Sequence, residues 1–243
     1  MSQELMALAI IPGLLIVLYV YTKDKVEKEP LGLILKIIAF GAIVCIIAGY
    51  VEAFAETFFP RYPEGSLGYA LVNAFGLAAF WEELLKYLAL KIGSWKSKSF
   101  NYRFDGIVYG VSSAVGFAVF ENIMYVSQYG LQTAIVRAFT AVPLHAFCGV
   151  FMGVFYALAK KNSILGMKGK STFFKLMALI VPMIIHGIYD TFAFLGTSTS
   201  EYMLLIFVVI LYITAIKTIK KMSAADRHAG FYPEARVINY TVE

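Results

Sequence analysis

Seven side chains able to move protons or hold a metal ion lie in stretches that are otherwise apolar enough to sit in lipid: Glu82, Glu83, Lys86, Glu121, His145, His186 and Asp190. An ionisable group inside a bilayer is costly unless it is paired, hydrated or in use. Glu82 and Lys86 are i,i+4 and Glu83 and Lys86 are i,i+3, so one lysine can neutralise either carboxylate. The two glutamates leave a helix about 100° apart, so they are not expected to aim at one point. Glu82 is taken as the carboxylate that activates water or binds a ligand, and Glu83 as its support. His186 and Asp190 are again i,i+4, which lets the carboxylate fix the imidazole tautomer or lets both side chains bind one atom. A single buried histidine such as His145 is more often a packing residue than a ligand, and Glu121 alone would serve as an interhelix hydrogen-bonding or proton-relay group. The conjunction carries the argument.

The elements that must position these residues are membrane helices. The 243 residues are 60% hydrophobic and 15% charged, and the apolar residues come in long blocks, which excludes a soluble domain. The chain reads as an all-α, polytopic bundle of about seven transmembrane helices. The spans are residues 5–21, 31–55, 67–90, 106–127, 132–159, 174–195 and a short one at 202–216. Pro30 opens the second, Asp105 is placed to cap the fourth, and Pro182 loosens the sixth one turn before His186. Gly106, Gly110, Ser113 and Gly116 give the fourth span a small-residue stripe for helix packing. Arg137, near the outer end of the fifth span, is expected to snorkel.

Lys and Arg number 3, 1, 4, 0, 5 and 0 in the successive loops, counting Lys175 at the start of the sixth span with the fifth loop, and 5 in the tail. Under the positive-inside rule this alternation puts the N-terminus outside and the C-terminus in the cytoplasm of a multi-pass protein of the cell membrane. The same distribution argues for lipid headgroups, and against nucleic acid, as the partner of the basic residues. Residues 1–216 form one bundle domain, with its polar core at about 67–195, and 217–243 form a cytoplasmic tail. Along helices rising roughly 1.5 Å per residue, Glu82 and His145 fall about 20 Å from the outer ends of their spans and Glu121 and Asp190 about 10 Å. A cavity opening outward would hydrate the whole set. Cys45 and Cys148 lack any paired spacing and read as packing residues.

In order along four spans, Glu82-Glu83-Leu84-Leu85-Lys86 fits E-E-x-x-K, Phe117 to Glu121 fits F-x-x-x-E, His145 stands alone, and His186 to Asp190 fits H-x-x-x-D. With Asp105-Gly106 and Glu121-Asn122-Ile123, this pattern resembles the PrsW family of intramembrane proteases, relatives of the type II CAAX prenyl proteases. The resemblance covers roughly residues 67–195. It implies site-1 cleavage of a single-pass, membrane-anchored anti-sigma factor, starting the release of an extracytoplasmic-function sigma factor. The CAAX relatives carry F-x-x-x-H where this chain has Glu121.

Peptide hydrolysis needs an activated water, a polarised carbonyl and a proton for the leaving amine. Two arrangements meet these needs. In one, Glu82 is the general base and His186, oriented by Asp190, steadies the oxyanion. In the other, His145 and His186 with Glu121 or Asp190 hold one divalent metal, zinc being the expected ion. No H-E-x-x-H is present, so a metal would take its ligands from separate helices. Cys148, three residues from His145, has nothing nearby to activate it as a nucleophile. The alternatives are a CAAX-type prenyl-protein endopeptidase and a proton- or ion-coupled transporter, for which the same intramembrane residues would serve; the lack of an internal repeat argues against the transporter.

Overall fold

A computed structural model describes residues 2–230, which are helical and contain no β-strand beyond one isolated bridge between Tyr102 and His228. The helices are α1 (Gln3–Lys23), α2 (Leu31–Glu56), the short α3 (Leu67–Leu71), α4 (Phe80–Ser94), α5 (Asp105–Phe139), α6 (Ala141–Ile164), α7 (Lys168–Leu195) and α8 (Ser198–Ala224). A π-helical segment, Val72–Ala79, joins α3 to α4. Five stretches are long and apolar enough to cross a membrane: Gln3–Lys23, Leu31–Glu56, Asp105–Ile164, Lys168–Leu195 and Ser198–Ala224. The protein is thus a multi-pass integral membrane protein of the cell membrane.

Helix α5 is the hub, packed between α6 on one side and α1 and α2 on the other. Its small residues explain the close approach: a Cβ on Gly110 would lie 2.3 Å from the carbonyl oxygen of Gly149 on α6, and one on Gly116 would lie 2.1 Å from that of Ile38 on α2. Gly106 meets Gly153 of α6, and the Ser113 hydroxyl donates to the Lys86 carbonyl at 2.8 Å.

Several local expectations change. Asp105 does not cap α5; it is the first helical residue, and its Oδ2 accepts from the backbone N–H groups of Asn101 and Tyr102, closing the preceding loop. The loop expected at 128–131 is a single kink at Gly130 (φ +78°), a backbone conformation that glycine adopts without Cβ strain. The chain then stays helical to Phe139 and breaks at Thr140. His145 therefore lies just over a turn into α6 instead of midway along a long span. The last helix, expected to be short, is opened by a reciprocal Thr197–Ser200 capping box and runs 27 residues to Ala224. Lys217, Lys220 and Lys221 are thus helical, and the part of the expected tail beyond residue 230 lies outside the described residues.

Candidate active site

The E-E-x-x-K sequence forms the first turns of α4, immediately after the π-helical segment. The Lys86 ammonium, fully buried, lies 3.0 Å from Glu82 Oε2 and 2.9 Å from Glu83 Oε1. The expectation that the two glutamates diverge is thereby corrected. At about 100° per residue, position 86 falls inside the arc between positions 82 and 83, so both flexible side chains fold toward it. The third donor of Lys86 goes to His145 Nδ1 at 2.9 Å, and the ring of Phe117 caps the ammonium 4.1 Å away.

His145 projects from the start of α6, and His186 projects from α7; their rings meet edge to face with centroids 4.9 Å apart. Each ring nitrogen has an assigned neighbour. His145 Nδ1 faces Lys86, which can only donate, so Nδ1 accepts and Nε2 donates to Glu121 Oε2 at 3.0 Å. His186 Nδ1 lies 2.9 Å from Glu83 Oε1 and Nε2 lies 3.2 Å from Asp190 Oδ2, with Glu82 Oε2 at 3.9 Å. Two ionised carboxylates facing one ring are both satisfied by the doubly protonated imidazolium, and a neutral ring serves if one carboxyl keeps its proton.

Glu121 also accepts from Arg137 at 2.5 Å, and Arg137 Nε donates to Asn122 Oδ1 at 2.9 Å. Arg137 does not snorkel; the kink at Gly130 turns its segment back so that the guanidinium bridges two side chains of its own α5. Asn122 in turn donates to the Ala9 carbonyl of α1 at 3.1 Å. Cys148 points away from His145, with Sγ 3.7 Å from the Pro182 carbonyl oxygen.

A cavity of about 670 Å³ opens onto this cluster. Glu82, Glu121, His145, His186 and Asp190 line it together with Arg137, whereas Glu83 and Lys86 stand behind the wall with no exposure. Glu52 and Glu56 of α2 line the opposite side, and Glu52 Oε1 is buried without a hydrogen-bond partner. Neither was a sequence candidate. Both lie in the last turns of their span, and no local motif ties them to the other helices. Asn73, within the π-helical segment, lines the cavity and donates to the Tyr69 carbonyl at 2.8 Å. π-Helical turns recur at functional sites because the extra residue re-aims the following turn. Here the following turn carries Glu82 and Glu83.

The donor atoms of Glu82, His145 and His186 lie within 4.8 Å of one another. Two imidazoles and a carboxylate are a donor set that zinc accepts in catalytic sites. Glu121 and Asp190, the carboxylates expected as ligands, each sit instead on a ring nitrogen of one histidine.

The family profile described as PrsW family intramembrane metalloprotease matches residues 29–215. The chain belongs to the PrsW family. Curated PrsW relatives agree along nearly the whole length. Protease PrsW of Bacillus subtilis is 31% identical over 89% of this chain and 94% of its own. The proteins of the same name from Halalkalibacterium halodurans and Shouchella clausii are 30% and 33% identical, covering 92% and 90% of this chain and 99% and 97% of their own. No solved structure matches this PrsW-family chain. It is an intramembrane protease, and family membership decides against the transporter.

Proposed function

We propose that this PrsW-family protease cleaves a single-pass membrane protein of the anti-sigma-factor type, at site 1, with Glu82 as the carboxylate that activates water. The observation that carries the residue assignment is the division of the glutamate pair: Glu82 lines the cavity, while Glu83 is sealed behind it against Lys86 and His186. A cavity-facing base can reach a water and a substrate carbonyl; a sealed one can only orient its neighbours.

Glu82 takes a proton from the attacking water and passes it to the leaving amine. Lys86 balances its charge before and after that transfer. The His186 imidazolium, clamped by Glu83 and Asp190, presents positive charge to the developing oxyanion without having to reorganise. Glu121 holds His145 by Nε2 and is itself held by Arg137, so this side of the cavity is rigid. Glu52, across the cavity and lacking a donor of its own, is available to a donor group of the substrate. Because this chain uses Glu121 with Arg137 where the CAAX relatives have histidine, the CAAX-type activity is the less favoured alternative.

A second reading is favoured by the donor set of Glu82, His145 and His186 and by the family's description as metalloproteases. These residues would hold one divalent metal, zinc by donor type, which when bound supplies Lewis-acid polarisation and an acidified water. Lys86 would then release His145 Nδ1, and Glu83 would remain as the outer carboxylate on His186 Nδ1.

Seven crossings follow if the broken helix Leu67–Ser94 spans once and Asp105–Ile164 spans twice, with the N-terminus outside, as the loop charges require. The cavity then opens to the outer side. The experiment is incubation of the purified protein with a tagged single-pass substrate, with and without a strong chelator, alongside metal analysis. A defined product supports the proposal, chelator resistance in metal-free protein assigns the glutamate mechanism, and failure to cleave any anti-sigma-type substrate removes the substrate assignment.

A further inference from the structure

At the opposite end of the bundle from the cavity, three connecting segments meet: residues 24–30 between α1 and α2, residues 95–104 before α5, and residues 225–230 after α8. The Phe104 N–H donates to Asp226 Oδ1 at 2.9 Å, the Arg103 N–H to the Arg227 carbonyl at 3.1 Å, and the Ser223 hydroxyl to the Lys23 carbonyl at 2.5 Å. Helix α2 separates this junction from Glu52 by roughly 30 Å of helical rise.

Four carboxylates in the junction share one pattern: one oxygen is held and the other is bare. Asp24 Oδ2 accepts from the Glu29 N–H at 3.3 Å, and Glu29 Oε2 accepts from the Tyr109 hydroxyl. Asp105 Oδ2 accepts from Asn101 and Tyr102 at 2.9 and 2.7 Å, and Asp226 Oδ1 from Phe104 and Arg227, both at 2.9 Å. Their partners Asp24 Oδ1, Glu29 Oε1, Asp105 Oδ1 and Asp226 Oδ2 are buried and unpartnered, as is Asn101 Oδ1. Asp24, Glu29 and Asp105 are 0%, 2% and 0% exposed, and the Glu29 and Asp105 carboxyl groups lie close enough that a proton or an ion between them would serve both.

A bare buried oxygen costs free energy, and five such acceptors against a single unpartnered donor, Arg103 Nε, call for further positive charge. The nearby cations serve only the edge of the junction, Lys28 beside Asp24 and Lys160 within reach of Asp105, and their own hydrogen bonds go elsewhere. Lys28 donates to the Tyr21 carbonyl and Lys160 to the Trp95 carbonyl. Arg103 lies beside Asp226, which places Asp226 at the margin.

We propose that Glu29 and Asp105 hold a hard divalent cation of the Mg²⁺ or Ca²⁺ kind, with Asp24 reaching it through water, and that the ion locks the three segments together. Oxygen-only donors select hard cations over zinc. Asp24 does not close with the other two into a tight three-carboxylate group. This suits Mg²⁺, which binds through one or two carboxylates and keeps several waters. Burial raises the Asp24 and Glu29 carboxyls above their ordinary range, so retained protons are the competing way to quiet the bare oxygens.

The test uses the full chain purified in detergent, stripped with chelator and dialysed, with thermal unfolding followed at pH 7 during titration with MgCl₂ and CaCl₂ against NaCl of equal ionic strength. The expected result is a saturable rise of at least ~2 °C with one of the two ions, lost in Asp105→Asn. If Asp105→Asn fails to fold, Glu29→Gln carries the same expectation. No saturable rise in the unmutated chain, an equal rise in the variants, or a midpoint that responds to acidification alone overturns the proposal.

Discussion

The Lys86 ammonium lies 2.9 Å from His145 Nδ1 while both of its other donors are taken by Glu82 and Glu83, so a single buried cation ties α4 to α6 and sets the tautomer of the histidine it touches. Replacing Lys86 by Met strands two carboxylates in the interior. The expected cost is about 3–5 kcal/mol, because removing one partner of a buried pair leaves an uncompensated charge. Thermal unfolding in detergent measures it. Adding Glu83→Gln to Lys86→Met should recover part of the loss, whereas Glu83→Gln alone should destabilise.

Arg137 spends two different donors on two acceptors, Nε on Asn122 and a terminal nitrogen on Glu121. A lysine cannot reproduce that fork. Arg137→Lys should lower the cleavage rate by about tenfold and Arg137→Met by more, with both variants still in the membrane fraction. A cleavage time course with equal amounts of each variant checks this; an unchanged rate in Arg137→Met would mean that Glu121 needs no cation.

Gly187 follows His186, and a Cβ there would lie 2.3 Å from the Phe75 ring of the π-helical segment. Gly187→Val should push α7 off that segment and cost about 1–3 kcal/mol as overpacking. The readout is the unfolding midpoint, and combining it with Phe75→Ala should restore part of it.

Much of the candidate site is legible in the sequence because charged residues are conspicuous in apolar runs. Glu82, Lys86, Glu121, His145, His186 and Asp190 meet, as their spacing on separate helices suggested. What sequence periodicity hid was set by contacts between distant segments. The π-helical turn before Glu82 fits against Gly187 of α7, and an apolar run such as Val72–Ala79 has the same pattern in α or π form. The kink at Gly130, which brings Arg137 to Glu121, lies inside the expected 128–131 loop, whereas the break at Thr140, three residues before Pro143, falls within a stretch whose apolar pattern reads as continuous helix. Glu52 was passed over because its neighbours across the cavity come from other helices.

Burial raises the Asp24 carboxyl to about 6, and that of Glu29 is raised by the same cause. The folded state therefore keeps protons that the unfolded chain has already released, so stability is greatest below the unfolded value near 4 and falls as pH rises through 6. In the presence of chelator, unfolding midpoints should drop between pH 4 and pH 7 by the equivalent of roughly 1–3 kcal/mol. Asp24→Asn should flatten that slope; an unchanged slope would place its origin elsewhere.

The most direct test of the central claim is single-turnover cleavage of a tagged single-pass substrate by Glu82→Gln, with substrate capture measured on the same preparation. Loss of the water-activating carboxylate should slow cleavage by about 10²–10⁴-fold while capture and the unfolding midpoint stay close to those of the unmutated chain. Cleavage by Glu82→Gln within tenfold of the unmutated rate would contradict the assignment of Glu82 as the base.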